Sequence, residues 1–158
     1  MPDMLVKLYT LPNLEPVIAQ QRAAGVEIRR ALPPEKHVVV EWVRRAFGDI
    51  WASETDVSFA RQPVGCFIAV EGQQMLGFAC YEATCKDYFG PTGVSEAARG
   101  RGIGAALLLA ALHALRAEGY AYAIIGAVGP AEFYSKVVGA TLIADSTPGI
   151  LGGMLRAK

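Results

Sequence analysis

The stretch that decides the fold is Val94-Ser-Glu-Ala-Ala-Arg99-Gly-Arg101-Gly-Ile-Gly104-Ala105, which leads directly into an apolar segment predicted to be a helix over residues 102–118. Three glycines fall within five positions, and a turn without side chains lets a ligand approach the backbone. The first N–H groups of a helix lack intrahelical acceptors, and the macrodipole adds partial positive charge there. With Arg99 and Arg101 nearby, the stretch predicts a seat for a phosphate or pyrophosphate. A tight turn whose glycines serve only close packing is the alternative.

Two common phosphate-binding motifs are excluded by the surrounding sequence. The spacing Gly100-x-Gly102-x-x-Ala105 satisfies the dinucleotide pattern G-x-G-x-x-G/A. That fold requires an acidic residue about 20 positions later, at the end of the next strand. Residues 121–128, AYAIIGAV, contain no acid, and the nucleotide P-loop G-x-x-x-x-G-K-[ST] is absent.

Around this turn the sequence alternates between strand and helix patterns, which indicates an α/β or α+β fold around one sheet. Apolar alternation predicts strands over residues 4–11, 26–32, 65–70, 75–81, 88–94, 120–128, 140–144 and 150–155. Helical spacing and capping residues predict helices over residues 13–25, 34–47, 102–118 and 130–138. Residues 50–59 favour a further helix, with a partly looped segment as the alternative.

Composition narrows the class of protein. The chain has 158 residues, 53% of them hydrophobic, and its 15 Lys and Arg balance 15 Asp and Glu. A nucleic-acid binder needs clustered excess cations, so none is expected as a partner. The longest apolar run, residues 105–112, falls far below the roughly 18 residues of a membrane span. We expect a cytoplasmic protein, neither secreted nor membrane-bound, with one domain over residues 1–158 that includes an N-terminal strand–helix extension over residues 1–25.

The three cysteines, Cys66, Cys80 and Cys85, form no C-x-x-C pair and have no histidine at ligand spacing. We expect reduced thiols and no metal site.

The motif Arg99-x-x-Gly102-x-Gly104 resembles the R/Q-x-x-G-x-G/A signature of the GNAT superfamily of acyl-CoA-dependent N-acetyltransferases. The wider frame V-x-P-x-x-R matches at Val94 and Arg99, with Glu96 where proline is usual. The resemblance implies a mixed, mostly antiparallel sheet flanked by helices. It also implies that acetyl-CoA binds with its pyrophosphate on the turn and its pantetheine arm beside the strand that ends at Val94. The implied coenzyme-binding residues are Thr92, Gly93, Val94, Arg99, Gly100, Arg101, Gly102, Ile103, Gly104 and Ala105.

The strand before the turn carries residues that suit this role. Gly90-Pro91-Thr92-Gly93 lies at its centre, and proline lacks the N–H that a ladder needs. Glycine in a strand marks a bulge or a close backbone approach. We expect this strand to part from a neighbour and admit the coenzyme.

Tyr134 occupies the place where the resemblance implies a general acid near the thioester sulfur. A leaving thiolate with a conjugate pKa of about 8.5 can accept a proton from a phenol. The alternative is a buried aromatic residue whose hydroxyl is hydrogen-bonded. Two positions depart from the family pattern: Ala127 replaces a frequent asparagine, and Gly139 follows Tyr134 by five residues rather than four.

The expected acyl acceptor is an amine, and an alkylammonium is neutral in only about one part in 10³ at pH 7. A general base is therefore needed, and Glu54 is favoured over Asp56, Glu82 and Asp87. Near Glu54, Trp51 and Phe59 either receive a cationic amine or simply pack in the core.

The sequence thus predicts an N-acetyltransferase that moves an acetyl group from acetyl-CoA to a primary amine, with a small molecule as acceptor, by direct attack in a ternary complex. Transfer to oxygen stays open, and a homodimer is compatible with the sequence. A non-catalytic acyl-CoA-binding regulatory module and an interaction domain without coenzyme are the alternatives.

Overall fold

The chain is organised around one seven-stranded sheet, and the computed structural model describes all residues from 1 to 158. The strands are β1 (Met4–Lys7), β2 (Glu27–Arg30), β3 (Cys66–Glu71), β4 (Gln74–Tyr81), β5 (Tyr88–Val94), β6 (Tyr122–Ile125) and β7 (Thr141–Leu142). Their order is β2-β3-β4-β5-β6-β1-β7, and all neighbours are antiparallel except β5 and β6. The predicted mixed, mostly antiparallel sheet is confirmed.

Five α-helices flank the sheet. They are α1 (Leu14–Ala23), α2 (Lys36–Phe47), α3 (Asp49–Ser58), α4 (Ile103–Ala117) and α5 (Ala131–Val138). Gly48, with a φ of +97°, is the only residue between α2 and α3. The helix predicted over residues 50–59 is therefore present, and the looped alternative is wrong.

The core has two parts, one on each face of the sheet. The larger part contains α4, whose Leu107, Leu108 and Leu112 are fully buried, as expected for a helix that is apolar on nearly every side. The smaller part lies under α2 and α3 and includes Val43 and Phe78. Burying a side chain of this kind contributes about 1.5–3 kcal/mol.

Strands β5 and β6 part from each other, and this opening is the feature that matters for the site. They pair only where Tyr88 and Phe89 meet Ile124 and Ile125. Residues 90–94 continue beside β4, with a register shift opposite Cys80, but have no partner on the β6 side. The expected parting of this strand is confirmed.

Several predicted strands are shorter than expected, and one is wrong. The β1 strand ends at Lys7 and becomes a 3-10 turn, β6 spans only four residues, and β7 only two. The strand predicted over residues 150–155 does not form, because a 3-10 turn (Gly149–Leu151) and the Gly152–Gly153 pair interrupt the extended backbone. The N-terminal β1 instead pairs with both β6 and β7.

Cys66 and Cys80 face each other across β3 and β4 as fully buried, free thiols. The neighbouring Cys80 and burial raise the pKa of Cys66, which keeps that thiol unreactive. None of the helices combines the length and the apolar character that crossing a membrane would require.

Candidate active site

The glycine-rich turn presents a row of free backbone donors. Gly100 and Gly102 have φ values of +81° and +78°, which side-chain-bearing residues rarely adopt, and α4 begins directly after Gly102. The first α4 amide bonded to a protein carbonyl is that of Ala106, which donates to Gly102 O at 3.1 Å. The N–H groups of residues 100–105 find no acceptor in the protein. This arrangement is the one that an anion at a helix N-terminus requires.

A side chain from α1 supports the turn from behind. Gln21 is only 4% exposed, and its Nε2 donates to the carbonyl oxygen of Arg101 at 2.8 Å. The contact joins residues 80 positions apart. Sequence reasoning missed Gln21, because nothing distinguishes it from an ordinary polar residue on a short helix.

The two arginines of the turn differ in their partners. Arg101 forms a salt bridge of 2.6 Å with Glu71 and lowers the pKa of that carboxyl, whereas Arg99 Nε donates to Val94 O at 3.3 Å. The guanidinium of Arg99 is thus bonded to a backbone carbonyl, whereas that of Arg101 is paired with a carboxylate. Exposed ion pairs contribute only about 0–1 kcal/mol, so a phosphate can compete for this guanidinium.

The free edge of β5 offers backbone groups to the opening. Ser95 N–H donates to Leu76 O at 2.8 Å. In an antiparallel pair every second residue is hydrogen-bonded to the neighbouring strand, so this bond shows which β5 residues bond to β4 and which face away from it. The N–H and C=O groups of Thr92 and Val94 therefore point toward the opening. Gly93 points its polar groups at β4, and a Cβ there would lie 2.4 Å from the Phe47 ring. Gly93 thus serves the packing of Phe47 and does not face the opening.

The turn, β5 and α5 meet beside the opening. A Cβ built on Gly104 would lie 3.7 Å from Val94 Cγ2 and 3.8 Å from Phe133 Cζ. The next residue, Tyr134, packs edge-on against Phe89, with 6.2 Å between ring centroids. Phe89 is the last β5 residue paired with β6, so Tyr134 lies at the base of the opening.

Tyr134 is 6% exposed, and burial raises its pKa to about 12. Burial is the sole cause of this shift, and no hydrogen bond to its hydroxyl contributes. Its hydroxyl therefore differs from the hydrogen-bonded core tyrosine of the alternative interpretation, and it stays protonated at neutral pH.

Two of the four candidate bases are paired with cations. Asp56 forms a 3.0 Å salt bridge with Lys36, and Glu82 forms a 3.1 Å salt bridge with Arg61. Burial alone would raise the pKa of Glu82, but the neighbouring Tyr120 and Arg61 outweigh it and lower that pKa. Its lowered pKa makes Glu82 poorly suited to accept a proton.

The other two carboxyls have no cationic partner. Glu54 accepts the Thr84 hydroxyl at 2.5 Å, which places it beside the loop between β4 and β5. Its hydrogen bonding does not connect it to the glycine-rich turn or to Tyr134. Asp87 has a buried Oδ1 without a hydrogen-bond partner, and burial together with Glu82 raises its pKa to about 6.

The α2–α3 side of the opening is aromatic. Trp51 and Phe59 pack against the smaller core as half-buried side chains, so the packing interpretation of these two residues is confirmed. An open groove of about 540 Å³ runs along α2 and reaches Ser95, the residue after Val94. It is lined by His37, Val38, Glu41, Trp42, Arg45, Ala46 and Ser95.

The same fold occurs in several solved structures. The glucosamine N-acetyltransferase region of a fungal multi-domain β-N-acetylglucosaminidase matches 90% of this chain with a TM-score of 0.72 and 17% identity. A GCN5-related N-acetyltransferase from Sphaerobacter thermophilus also matches 90%, with a TM-score of 0.63 and 20% identity. The chain spans 19% of the fungal protein and 48% of the Sphaerobacter protein. A search of curated protein sequences gave no match.

The sequence itself carries the family relationship. A model of the Acetyltransferase (GNAT) family matches residues 34–139, which include both the glycine-rich turn and Tyr134. The chain therefore belongs to the GNAT acetyltransferase family.

Proposed function

We propose that this protein transfers an acetyl group from acetyl-CoA to the primary amine of a small molecule. The observation that carries the proposal is the row of unpaired backbone N–H groups over residues 100–105, at the head of the β5–β6 opening. The pyrophosphate of the coenzyme fits this row, with Arg99 and Arg101 beside it. Thr92 and Val94 offer backbone partners to the amides of the pantetheine arm.

The length of the opening agrees with that of the pantetheine arm. The five β5 residues that have no partner on the β6 side, residues 90–94, extend over roughly 16 Å of strand. The arm between pyrophosphate and sulfur spans about 15 Å at ordinary bond lengths. A coenzyme held at the turn would bring its thioester to the base of the opening, where Tyr134 lies against Phe89.

The reaction we propose is direct attack within a ternary complex. The neutral amine forms a C–N bond with the acetyl carbon, the C–S bond breaks, and the thiolate takes a proton from Tyr134. The proton lost by the amine goes to a carboxylate, for which Glu54 and Asp87 are the candidates without a cationic partner. We retain Glu54 as the proposed base because it lies on α3, on the aromatic side of the opening.

Three observations support a small-molecule acceptor. The formal net charge is zero, which does not favour a nucleic acid or a highly charged protein tail. The groove along α2 is open and reaches Ser95 beside the β5 edge, and Trp42 in its wall can contact a cationic amine. The similar fungal region is a glucosamine N-acetyltransferase, so amino sugars belong among the first amines to assay.

Thermal unfolding with and without acetyl-CoA tests the proposal. Ligand at about 100 times its Kd adds close to 2.7 kcal/mol, which raises Tm by roughly 5–10 °C for a domain of this size. Thiol release on adding glucosamine, a diamine or an amino acid then identifies the class of acceptor. Absence of a shift with acetyl-CoA overturns the proposal, and a shift without turnover for any amine favours the non-catalytic acyl-CoA binder.

We further propose that residues 1–158 act as one domain in the cytoplasm. The position of β1 between β6 and β7 supports the first part, and the three free cysteines fit a reducing compartment.

A further inference from the structure

The loop over residues 126–130, between β6 and α5, is tied to the N-terminus of the chain. The N–H of Ala127 donates to Asp3 Oδ1 at 2.8 Å. The N–H of Val128 donates to the carbonyl oxygen of Pro2, also at 2.8 Å. Two consecutive amides of this short loop therefore depend on residues more than 120 positions away.

The conformation of this loop needs such support. Ala127 has a φ of +48°, in the left-handed region that disfavours any residue with a Cβ. Asp3 is itself fixed, because its N–H donates to Ser146 Oγ at 2.8 Å and its carbonyl accepts the N–H of Ile143 at 2.9 Å. The carboxylate is thus held in place to accept the Ala127 amide.

The loop leads directly into the helix that carries Tyr134. Within that turn, Ala131 N–H donates to Gly129 O at 3.1 Å, and Phe133 N–H donates to Pro130 O at 3.0 Å. Strand β1 packs against α5, and Met4, the residue after Asp3, is buried in the same core as Tyr134. The loop therefore lies directly before the helix that brings Tyr134 against Phe89.

We propose that Asp3 is a positioning residue for acetyl transfer. Its carboxylate holds Ala127 in the left-handed conformation and so keeps Tyr134 at the base of the β5–β6 opening. The inference rests on the proposed function, since it assigns Asp3 a role in a reaction that Tyr134 assists. Asp3 acts through the backbone and does not touch the reacting atoms.

The test compares Asp3→Ala with the wild type and with Asp49→Ala, a control at an exposed aspartate of α3 whose ion pair with Arg44 lies outside the hydrogen bonds that hold residues 126–130. Asp3→Ala is expected to lower kcat at least about tenfold through displacement of Tyr134. KM for acetyl-CoA should stay within about twofold, because residues 100–105 are untouched. The amides of Ala127 and Val128 should exchange hydrogen faster, and Asp49→Ala should match the wild type in all three measurements.

A second substitution asks whether the effect runs through Ala127. Glycine adopts a φ of +48° without the cost that alanine carries. Adding Ala127→Gly to Asp3→Ala should therefore recover part of the lost kcat, with each rate corrected for the folded fraction measured by thermal unfolding so that a gain in stability is not counted as recovery. If Asp3→Ala does not fold, Asp3→Asn replaces the charged acceptor with a neutral one and should lower kcat about two- to fivefold, with faster exchange at Ala127.

The outcomes separate this inference from the proposed function. A wild type that neither binds acetyl-CoA nor acetylates any amine overturns both. An active wild type that is slowed by Tyr134→Phe but not by Asp3→Ala, despite faster exchange at Ala127, overturns the role of Asp3 alone. If Asp3→Asn keeps the kcat of the wild type while the Ala127 amide exchanges faster, the role of Asp3 is likewise overturned.

Discussion

Replacing Gly102 by alanine gives the most direct test of the backbone anion seat. With a φ of +78°, this residue lies in the left-handed region, where alanine costs about 1–2 kcal/mol. The new Cβ would also lie 3.2 Å from Gln21 Nε2, the group that supports the carbonyl of Arg101. Alanine therefore disturbs both the conformation of the turn and its only side-chain support from α1.

The magnitude follows from that conformational cost. If the free variant relaxes away from the left-handed turn, acetyl-CoA binding must restore it, and Kd should rise about 5- to 30-fold. If the free variant instead keeps the left-handed turn, the same cost lowers the Tm without ligand by roughly 2–8 °C for a chain of this length. Titration calorimetry with acetyl-CoA and thermal unfolding without ligand measure the two quantities separately.

Gly100 and Gly104 provide matched controls on either side. Gly100→Ala has the same left-handed strain, with a φ of +81°, but its Cβ meets no atom within 4 Å. Gly104 lies within α4 and has no positive φ, and a Cβ there would make ordinary contacts of 3.7 and 3.8 Å. Because alanine has a higher helix propensity than glycine, Gly104→Ala should be stabilising by about 1 kcal/mol. The expected order of Kd is Gly104→Ala lowest, then Gly100→Ala, then Gly102→Ala. A Gly102→Ala variant that keeps the Tm of the wild type and also binds acetyl-CoA with unchanged Kd would refute the backbone seat.

Further predictions concern the proton-transfer groups. Tyr134→Phe should lower kcat about 10²- to 10⁴-fold with little change in the Kd of acetyl-CoA. Because the pKa of Tyr134 is about 12, deprotonation of this hydroxyl should not reduce wild-type activity below pH 10. Glu54→Gln should lower kcat at least about 10²-fold at neutral pH if Glu54 is the base, and an unchanged kcat would leave its contact with Thr84 as its only role. Burial and Glu82 raise the pKa of Asp87 from 3.8 to about 6, so the folded protein binds this proton more tightly than the unfolded chain and gains stability as pH falls from 7 toward 4. This gain in the free energy of unfolding is about 1–2 kcal/mol after solvent screening, and it should be absent in Asp87→Asn. Urea unfolding at pH 4.5 and at pH 7.5 measures it in both proteins. The same pH dependence in both would contradict the raised pKa of Asp87.

Features encoded in contiguous sequence were predictable. The glycine-rich turn and α4 lie within one stretch, so spacing and apolar content were sufficient to predict them. The parting of β5 was predictable for the same reason, since Pro91 and its glycine neighbours weaken pairing wherever the strand lies.

Features that depend on distant segments were not predictable in this way. Apolar residues at 150–155 suggested a strand, but the place beside β7 belongs to β1, and no local pattern reveals which segment pairs there. The pairing state of a charged side chain is equally non-local, because Arg101 meets Glu71 only through the β3–β4 hairpin.

Both ends of the β5–β6 opening are held by the same N-terminal segment. Gln21 supports the turn that would seat the pyrophosphate, and Asp3 supports the loop that leads to Tyr134. These residues precede the region that matches the family model, which begins at residue 34. A segment expected from the sequence as an extension therefore contributes a strand inside the sheet, one hydrogen bond to the glycine-rich turn and two to the loop before α5. The two supports are separate, so a change at Gln21 acts on the turn and on coenzyme binding, whereas a change at Asp3 acts on the placement of Tyr134.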